Sequence, residues 1–283
     1  MIESPGHLLR KHGLHARHSW GQNFLIAQSV HEAIVRASGA CAGMRVVEIG
    51  AGLGTLTDRL LATDAEVWAI ERDRDLCVVL RAELGERPNF VLHEADAVRF
   101  DYAAAAKDQA TLPAIVGNLP YQLTGPLLFV LLEHHAWTGP WVVMVQKEVA
   151  DRLCSPPGSR EYGGVTAVMS RVRAVSRVCA APRGCFLPAP RVDSAVIRLD
   201  PRPQPRGEVA DAAGFQQLVR AAFQQRRKVL SNALTSLAGR DAALRWCEVA
   251  GVDPGIRPER LGPEEFAALQ RAREAEGGDA GTP

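Results

Sequence analysis

Glu48-Ile49-Gly50-Ala51-Gly52-Leu53-Gly54-Thr55 decides the fold of this chain. An apolar strand over residues 45–49 leads into three glycines, and a helical pattern follows. Glycine permits a tight strand-to-helix turn and lets a ligand approach backbone that a Cβ would shield, and helix N-terminal N–H groups then face that ligand. A dinucleotide fingerprint requires a glycine where Thr55 stands, so the turn predicts a nucleoside-type cofactor other than a nicotinamide dinucleotide.

Outward from the turn, Val- and Ile-rich runs at 67–70, 90–93, 114–116 and 141–145 alternate with longer helical patterns. That alternation predicts a mostly parallel sheet covered on both faces. Runs at 172–179 and 194–199, with too little helical pattern between them for a crossover, are candidates for an antiparallel pair at one edge. Asp200-Pro201-Arg202-Pro203-Gln204-Pro205-Arg206-Gly207 reads as a linker. Beyond it Phe215, Leu218, Val219, Ala222 and Phe223, then Leu230, Leu234 and Leu237, recur at helical spacing, which predicts a small all-helical domain. The expected boundaries are an N-terminal extension over 1–18, a catalytic α/β domain over 19–200, a linker over 201–207, a helical domain over 208–273 and a disordered tail over 274–283.

Carboxylates stand at the next two strand ends. Glu71 is placed to accept hydrogen bonds from the 2′ and 3′ hydroxyls of a ribose, and Asp96 to accept one from an adenine amine. Turn, Glu71 and Asp96 at three successive strand ends fit S-adenosylmethionine. After the fourth strand comes Asn118-Leu119-Pro120-Tyr121. The lone pair of a planar amine is delocalised into its ring, and hydrogen bonds from the amine to the Asn118 side-chain oxygen and the Leu119 carbonyl would hold it for attack. Pro120 restricts the loop and removes a competing donor, and Tyr121 can stack on a base, a contact worth roughly 1–3 kcal/mol. The expected chemistry is methyl transfer to a base nitrogen.

Composition sets outer bounds. The 283 residues are 47% apolar and 23% charged, as in globular proteins of about two domains, with no signal peptide and no apolar run near a membrane span, so a cytoplasmic location and no membrane partner are expected. The six cysteines show no C-x-x-C pair, so free thiols and no metal site are expected. Net charge is only +1, yet residues 64–101 carry ten acids against five bases, while 171–198 carry six arginines against Asp193 alone. Such asymmetry can orient a polyanion on one face. Arg226-Arg227-Lys228, on a predicted helix, extend the expected phosphate-binding surface.

Five ordered motifs carry a family resemblance: Gly21-Gln22-Asn23-Phe24-Leu25, the glycine turn, Asn118 to Tyr121, Phe186-Leu187-Pro188-Ala189-Pro190-Arg191-Val192-Asp193-Ser194, and Phe223-Gln224-Gln225-Arg226-Arg227-Lys228. Across roughly residues 11–273 the chain resembles the small-subunit ribosomal RNA adenine N6,N6-dimethyltransferases of kasugamycin sensitivity. The resemblance implies a seven-stranded, Rossmann-like class I methyltransferase sheet, a helical C-terminal domain, and dimethylation of two adjacent adenosines in the terminal hairpin of 16S rRNA. It implies Asn23, Leu25, Gly50, Gly52, Glu71, Asp96 and Asn118 at the cofactor, and Phe186 as a second aromatic sandwiching the base against Tyr121. The implied partner is the small ribosomal subunit, with no DNA partner and a monomeric enzyme. Ala51 stands where the family often has proline, and Gln122-Leu123-Thr124-Gly125 departs from its usual run after the tyrosine. Other readings are a large-subunit rRNA methyltransferase, a mitochondrial transcription factor of the same descent, a nicotinamide dehydrogenase, and an assembly factor acting mainly by binding the immature subunit.

Overall fold

The structure, a computed structural model, describes residues 2–17, 21–106, 111–225 and 228–279. Its elements in chain order are α1 (Pro5–Lys11), β1 (Phe24–Leu25), α2 (Gln28–Ser38), β2 (Arg45–Ile49), α3 (Thr55–Leu61), β3 (Glu66–Glu71), α4 (Arg74–Leu84), β4 (Phe90–Glu94), β5 (Ala114–Asn118), α5 (Thr124–Glu133), β6 (Trp141–Gln146), α6 (Lys147–Leu153), α7 (Gly164–Val172), β7 (Arg173–Ala181), β8 (Phe186–Leu187), β9 (Ser194–Pro201), α8 (Ala212–Gln224), α9 (Leu230–Ala250) and α10 (Pro263–Asp279).

Seven strands form one sheet in the order β4-β3-β2-β5-β6-β9-β7. The five from β4 to β6 are parallel, and β9 runs antiparallel to β6. The expected edge pair, β9 and β7, are neighbours. Central strands such as Trp141–Gln146 are buried on both faces, which is why they read as continuous apolar runs, whereas the edge strand Phe90–Glu94 is only partly covered. Chain order reverses between β2 and β5: the path leaves β2 toward β3 and β4, then returns to β2's other side. Crevices at the carboxyl ends of strands flanking such a reversal are where ligands bind in open α/β sheets. Gly117 lies opposite Ile49 at this junction, where a Cβ would stand 2.6 Å from the Ile49 carbonyl oxygen, so only glycine fits.

The chain divides into two compact units, Met1–Ala150 with Val175–Pro201, and Asp151–Ala174 with Arg202–Pro283. This corrects three expected boundaries. The domain expected over 19–200 is interrupted by 151–174, because α7 buries Thr166, Ala167, Met169 and Val172 and packs with α8 and α10. The prolines of 201–207 do not make a free linker: Arg202 N and Arg206 N donate to the carbonyls of Val172 and Arg171, at 3.0 and 2.8 Å, at the end of α7. The segment expected to be disordered from residue 274 continues α10 to Asp279; residues 280–283 lie outside the described residues.

Residues 2–17, within the expected N-terminal extension, are packed in place. Leu8 is fully buried among Phe24, Leu53, Leu76 and Val79, and Lys11 and His12 both reach Glu83 on α4, at 2.8 and 2.7 Å. The second unit has a core of Tyr162, Phe215, Leu218, Leu234, Trp246 and Phe266. Asp211 caps α8 by accepting from Gly214 N at 2.9 Å, and α9 breaks at Ala238 and Gly239. No helix among the described residues is long and apolar enough to cross a membrane.

Candidate active site

A cleft of about 410 Å³ opens at the reversal point, lined from the ends of β2, β3 and β5 and from β1. Gly50, Gly52 and Gly54 all take left-handed φ, at 70°, 61° and 82°, which other residues adopt only with strain. The turn is stitched to β3 by Gly50 N donating to Ile70 O at 2.8 Å, with Ala51 N donating to the same oxygen at 3.3 Å. A proline at position 51 would lack only the longer of these two bonds, so alanine and proline both preserve the turn.

Glu71 receives three backbone N–H groups, from Gly52, Arg72 and Asp73, each at 2.8 Å. Burial pushes its pKa above the ordinary carboxylate value, and those donors oppose the rise. A carboxylate offers about four lone-pair sites, so roughly one remains for a ribose hydroxyl. Pairing both hydroxyls, as the sequence suggests, would require one backbone donor to yield. Asp96 lines the cleft half-buried; its Oδ1 accepts from Val98 N at 3.0 Å, and its Oδ2 lies 3.7 Å from Arg72 Nη1.

On the other wall Asn118 Nδ2 donates to Asn23 O at 3.1 Å. This uses the amide's nitrogen and leaves its oxygen to accept. Leu119 N donates to Met144 O at 3.1 Å, and a short 3-10 turn over Tyr121–Leu123 follows. Tyr121 Oη lies 2.7 Å from Ser194 Oγ. Asn23, Leu25, Gly50, Gly52, Glu71, Asp96, Asn118, Leu119, Pro120 and Tyr121 line one cleft.

Phe186 does not line it. It is 3% exposed, pairs across from Leu25 in the antiparallel β1–β8 ribbon, and sits in the core with Leu25 and Ala181. The expected sandwich with Tyr121 is thus absent here; an aromatic at this position packs behind the cofactor wall. Arg226 and Arg227 lie outside the described residues, and Lys228 is not helical: α8 ends at Gln224, and Lys228 N donates to Gln225 O at 2.8 Å in a bend. The six arginines of 171–198 are also not one surface. Arg173 is fully buried, Arg171 Nε donates to Gly207 O at 3.0 Å, and Arg198 binds Asp200 and the Ala37 carbonyl. Arg177, Arg183 and Arg191 are exposed.

Two cleft residues escaped the sequence reading. Glu48, near the end of β2, is 1% exposed with no hydrogen-bond partner for Oε2 among the described residues, and burial, with the Glu71 charge adding, pushes its pKa up to about 8. His31 is buried, and desolvation and the Arg59 charge lower its pKa to about 4, so it is neutral at physiological pH. No local pattern marks His31. Among the described residues no cluster of side chains could hold a metal ion, and the cysteines are free.

Residues 13–270 match the ribosomal RNA adenine dimethylase family. The chain belongs to that family. It is 48% identical to the ribosomal RNA small subunit methyltransferase A of Anaeromyxobacter sp. (strain K), over 95% of this chain and 97% of the relative. It is 44% identical to that of Myxococcus xanthus (strain DK1622), over 96% and 95%. Among solved structures, a dimethyladenosine transferase from Plasmodium falciparum superposes with a TM-score of 0.75 at 24% identity, covering 90% of this chain and 98% of that one, and a 23S rRNA methyltransferase, ErmE, with 0.68 at 25% identity, covering 89% and 100%. The protein is an S-adenosylmethionine-dependent rRNA adenine dimethyltransferase with a class I methyltransferase sheet. The cleft fits the cofactor: a glycine turn with left-handed backbone, Glu71 at the end of β3 and Asp96 past β4 suit a nucleoside. The nicotinamide reading falls with this assignment.

Proposed function

We propose that this dimethyltransferase acts on two adjacent adenosines in the 3′-terminal hairpin of 16S rRNA as the small subunit matures, as a cytoplasmic monomer with no DNA partner. Support comes from the small-subunit methyltransferases to which it is similar, and at the site from Asn118, whose nitrogen is engaged by Asn23 O while its oxygen can accept. The target adenosine leaves its stack, which costs a few kcal/mol and less in a loop than in a duplex. It rests on Tyr121 and donates its N6 hydrogens to Asn118 Oδ1 and the Leu119 carbonyl. When bound, the cofactor supplies a sulfonium methyl that needs no further activation. Asn118 and Leu119 would hold N6 with its lone pair free for the methyl group that a bound cofactor would supply, and the alkylated amine would give its proton to water. Positioning, rather than a dedicated base, is what these residues contribute.

Labelled methyl transfer from S-adenosylmethionine to unmethylated small subunits, followed by nucleoside analysis, tests the reading. The expected product is N6,N6-dimethyladenosine in the terminal hairpin. Label in large-subunit RNA instead would reassign the substrate. No label despite binding of both cofactor and subunit would move the assembly role to first place.

A further inference from the structure

Within the acceptor wall, the Tyr121 hydroxyl meets Ser194 Oγ at 2.7 Å, across 73 residues of chain. The two ends of this bond differ in freedom. Tyr121 is half-buried on a short 3-10 turn and borders the cleft, so one side of its ring faces open space. Ser194 is 1% exposed and opens β9, paired with Gln146 of β6. Its neighbour Asp193 is clamped as well: the side chain accepts from Arg183 N at 2.9 Å, and the carbonyl accepts from Lys147 N at 2.9 Å. Burial raises the Tyr121 pKa while the bond to Ser194 opposes the rise, so the phenol keeps its proton at physiological pH. Ser194 is therefore a fixed point and Tyr121 the part that is held.

We propose that Ser194 is a positioning residue for methyl transfer, its hydroxyl fixing the plane of the Tyr121 ring on which the target adenine stacks. This rests on the stacking role given to Tyr121 above. The segment from Phe186 to Ser194 thus meets the cleft at both ends: one pairs with β1 in the β1–β8 ribbon, and the other holds the acceptor aromatic. With its serine end buried, the bond faces less competition from water, which favours one orientation of the ring when the cleft is open to solvent.

Ser194→Ala, Tyr121→Phe, their double variant and Tyr121→Ala would be assayed on unmethylated small subunits, with cofactor affinity measured separately by calorimetry. Ser194→Ala and Tyr121→Phe delete the same bond from opposite ends, so a folding defect at the buried serine does not decide the outcome. Each is expected to lower kcat roughly 3- to 10-fold, the size of one lost hydrogen bond, with unchanged cofactor affinity, and the double variant should fall no further than the weaker single. The chain has three tyrosines, so protein labelled with 3-fluorotyrosine should give three fluorine resonances. Ser194→Ala should move the one that Tyr121→Phe removes. Wild-type kcat in Ser194→Ala, or losses that multiply in the double variant, would overturn the role of Ser194 alone. Wild-type kcat in Tyr121→Ala would overturn the stacking reading and this inference with it.

Discussion

The two walls of the cleft are built by different means. The cofactor wall is held by backbone: left-handed glycines, Gly50 N on Ile70 O, and three N–H groups on Glu71, the farthest of which comes from Gly52, 19 residues away. The acceptor wall is held by side chains reaching across the fold, Asn118 to Asn23 over 95 residues and Tyr121 to Ser194 over 73. A wall made of backbone couples ligand binding to the stability of the sheet. One tethered by side chains can be altered while the fold and the cofactor site stay intact.

Glu71→Ala attacks the first wall and should have the broadest effect. It strands three backbone N–H groups and removes the remaining acceptor. Because the cleft admits some water, a net destabilisation of about 3 kcal/mol is expected, with cofactor affinity falling about 100-fold. Thermal melts and calorimetry should move together. A variant that melts normally yet loses the cofactor would break the claimed coupling. Asn118→Ala attacks the second wall: turnover should fall about 100-fold through misplacement of the amine, while cofactor affinity stays within about threefold. Near-normal turnover in single-turnover assays would remove Asn118 from its role.

Glu48 sharpens the contrast, because it belongs to the backbone wall yet one oxygen of its carboxyl has no partner among the described residues. Its pKa rises from 4.5 to about 8 on folding. The stability it supplies is complete below pH 4.5, where both states are protonated. Above that the unfolded state gives up its proton first, so stability declines until the pH passes about 8. Glu48→Gln mimics the protonated form and should flatten this decline. The variant and the parent are expected to melt alike near pH 4.5, with the variant several degrees higher at pH 9. Parallel melting curves across that range would mean the carboxyl is charged in the folded protein.

The same division explains what could be read from sequence. The sheet, the glycine turn, Glu71 and Asp96 were legible because strand periodicity and short-range turn chemistry specify them. Asn118 to Tyr121 were legible as a motif, but the bond from Tyr121 to Ser194 was not, since nothing local to either residue announces it. Phe186 was misplaced because an aromatic in a motif has no sequence mark distinguishing a cleft-facing ring from one packed under β1. The interruption over 151–174 was not legible, because α7 joins helices that follow it by some 40 residues, a long-range choice made by its apolar face.

Charge was the least legible property, and it sets the smallest expected effect. A count over 171–198 sees six equal arginines, but a guanidinium locked onto a carboxylate or carbonyl cannot also release counterions from RNA. Arg198, bound to Asp200 and Ala37 O, should leave the salt dependence of RNA binding unchanged when replaced by Gln in any variant that still folds. Lys228 is exposed in the bend after α8. If it contacts phosphate, Lys228→Ala should reduce the slope of log K against log salt by about 0.7–0.9, and neutralising Arg226 and Arg227 with it should remove roughly 2–3 in all. Cofactor affinity should not change, because every residue lining the cleft belongs to the first unit. An equal loss of slope from Arg198→Gln and Lys228→Ala would mean that the sequence count, and not the pairing seen in the fold, measures the surface offered to RNA.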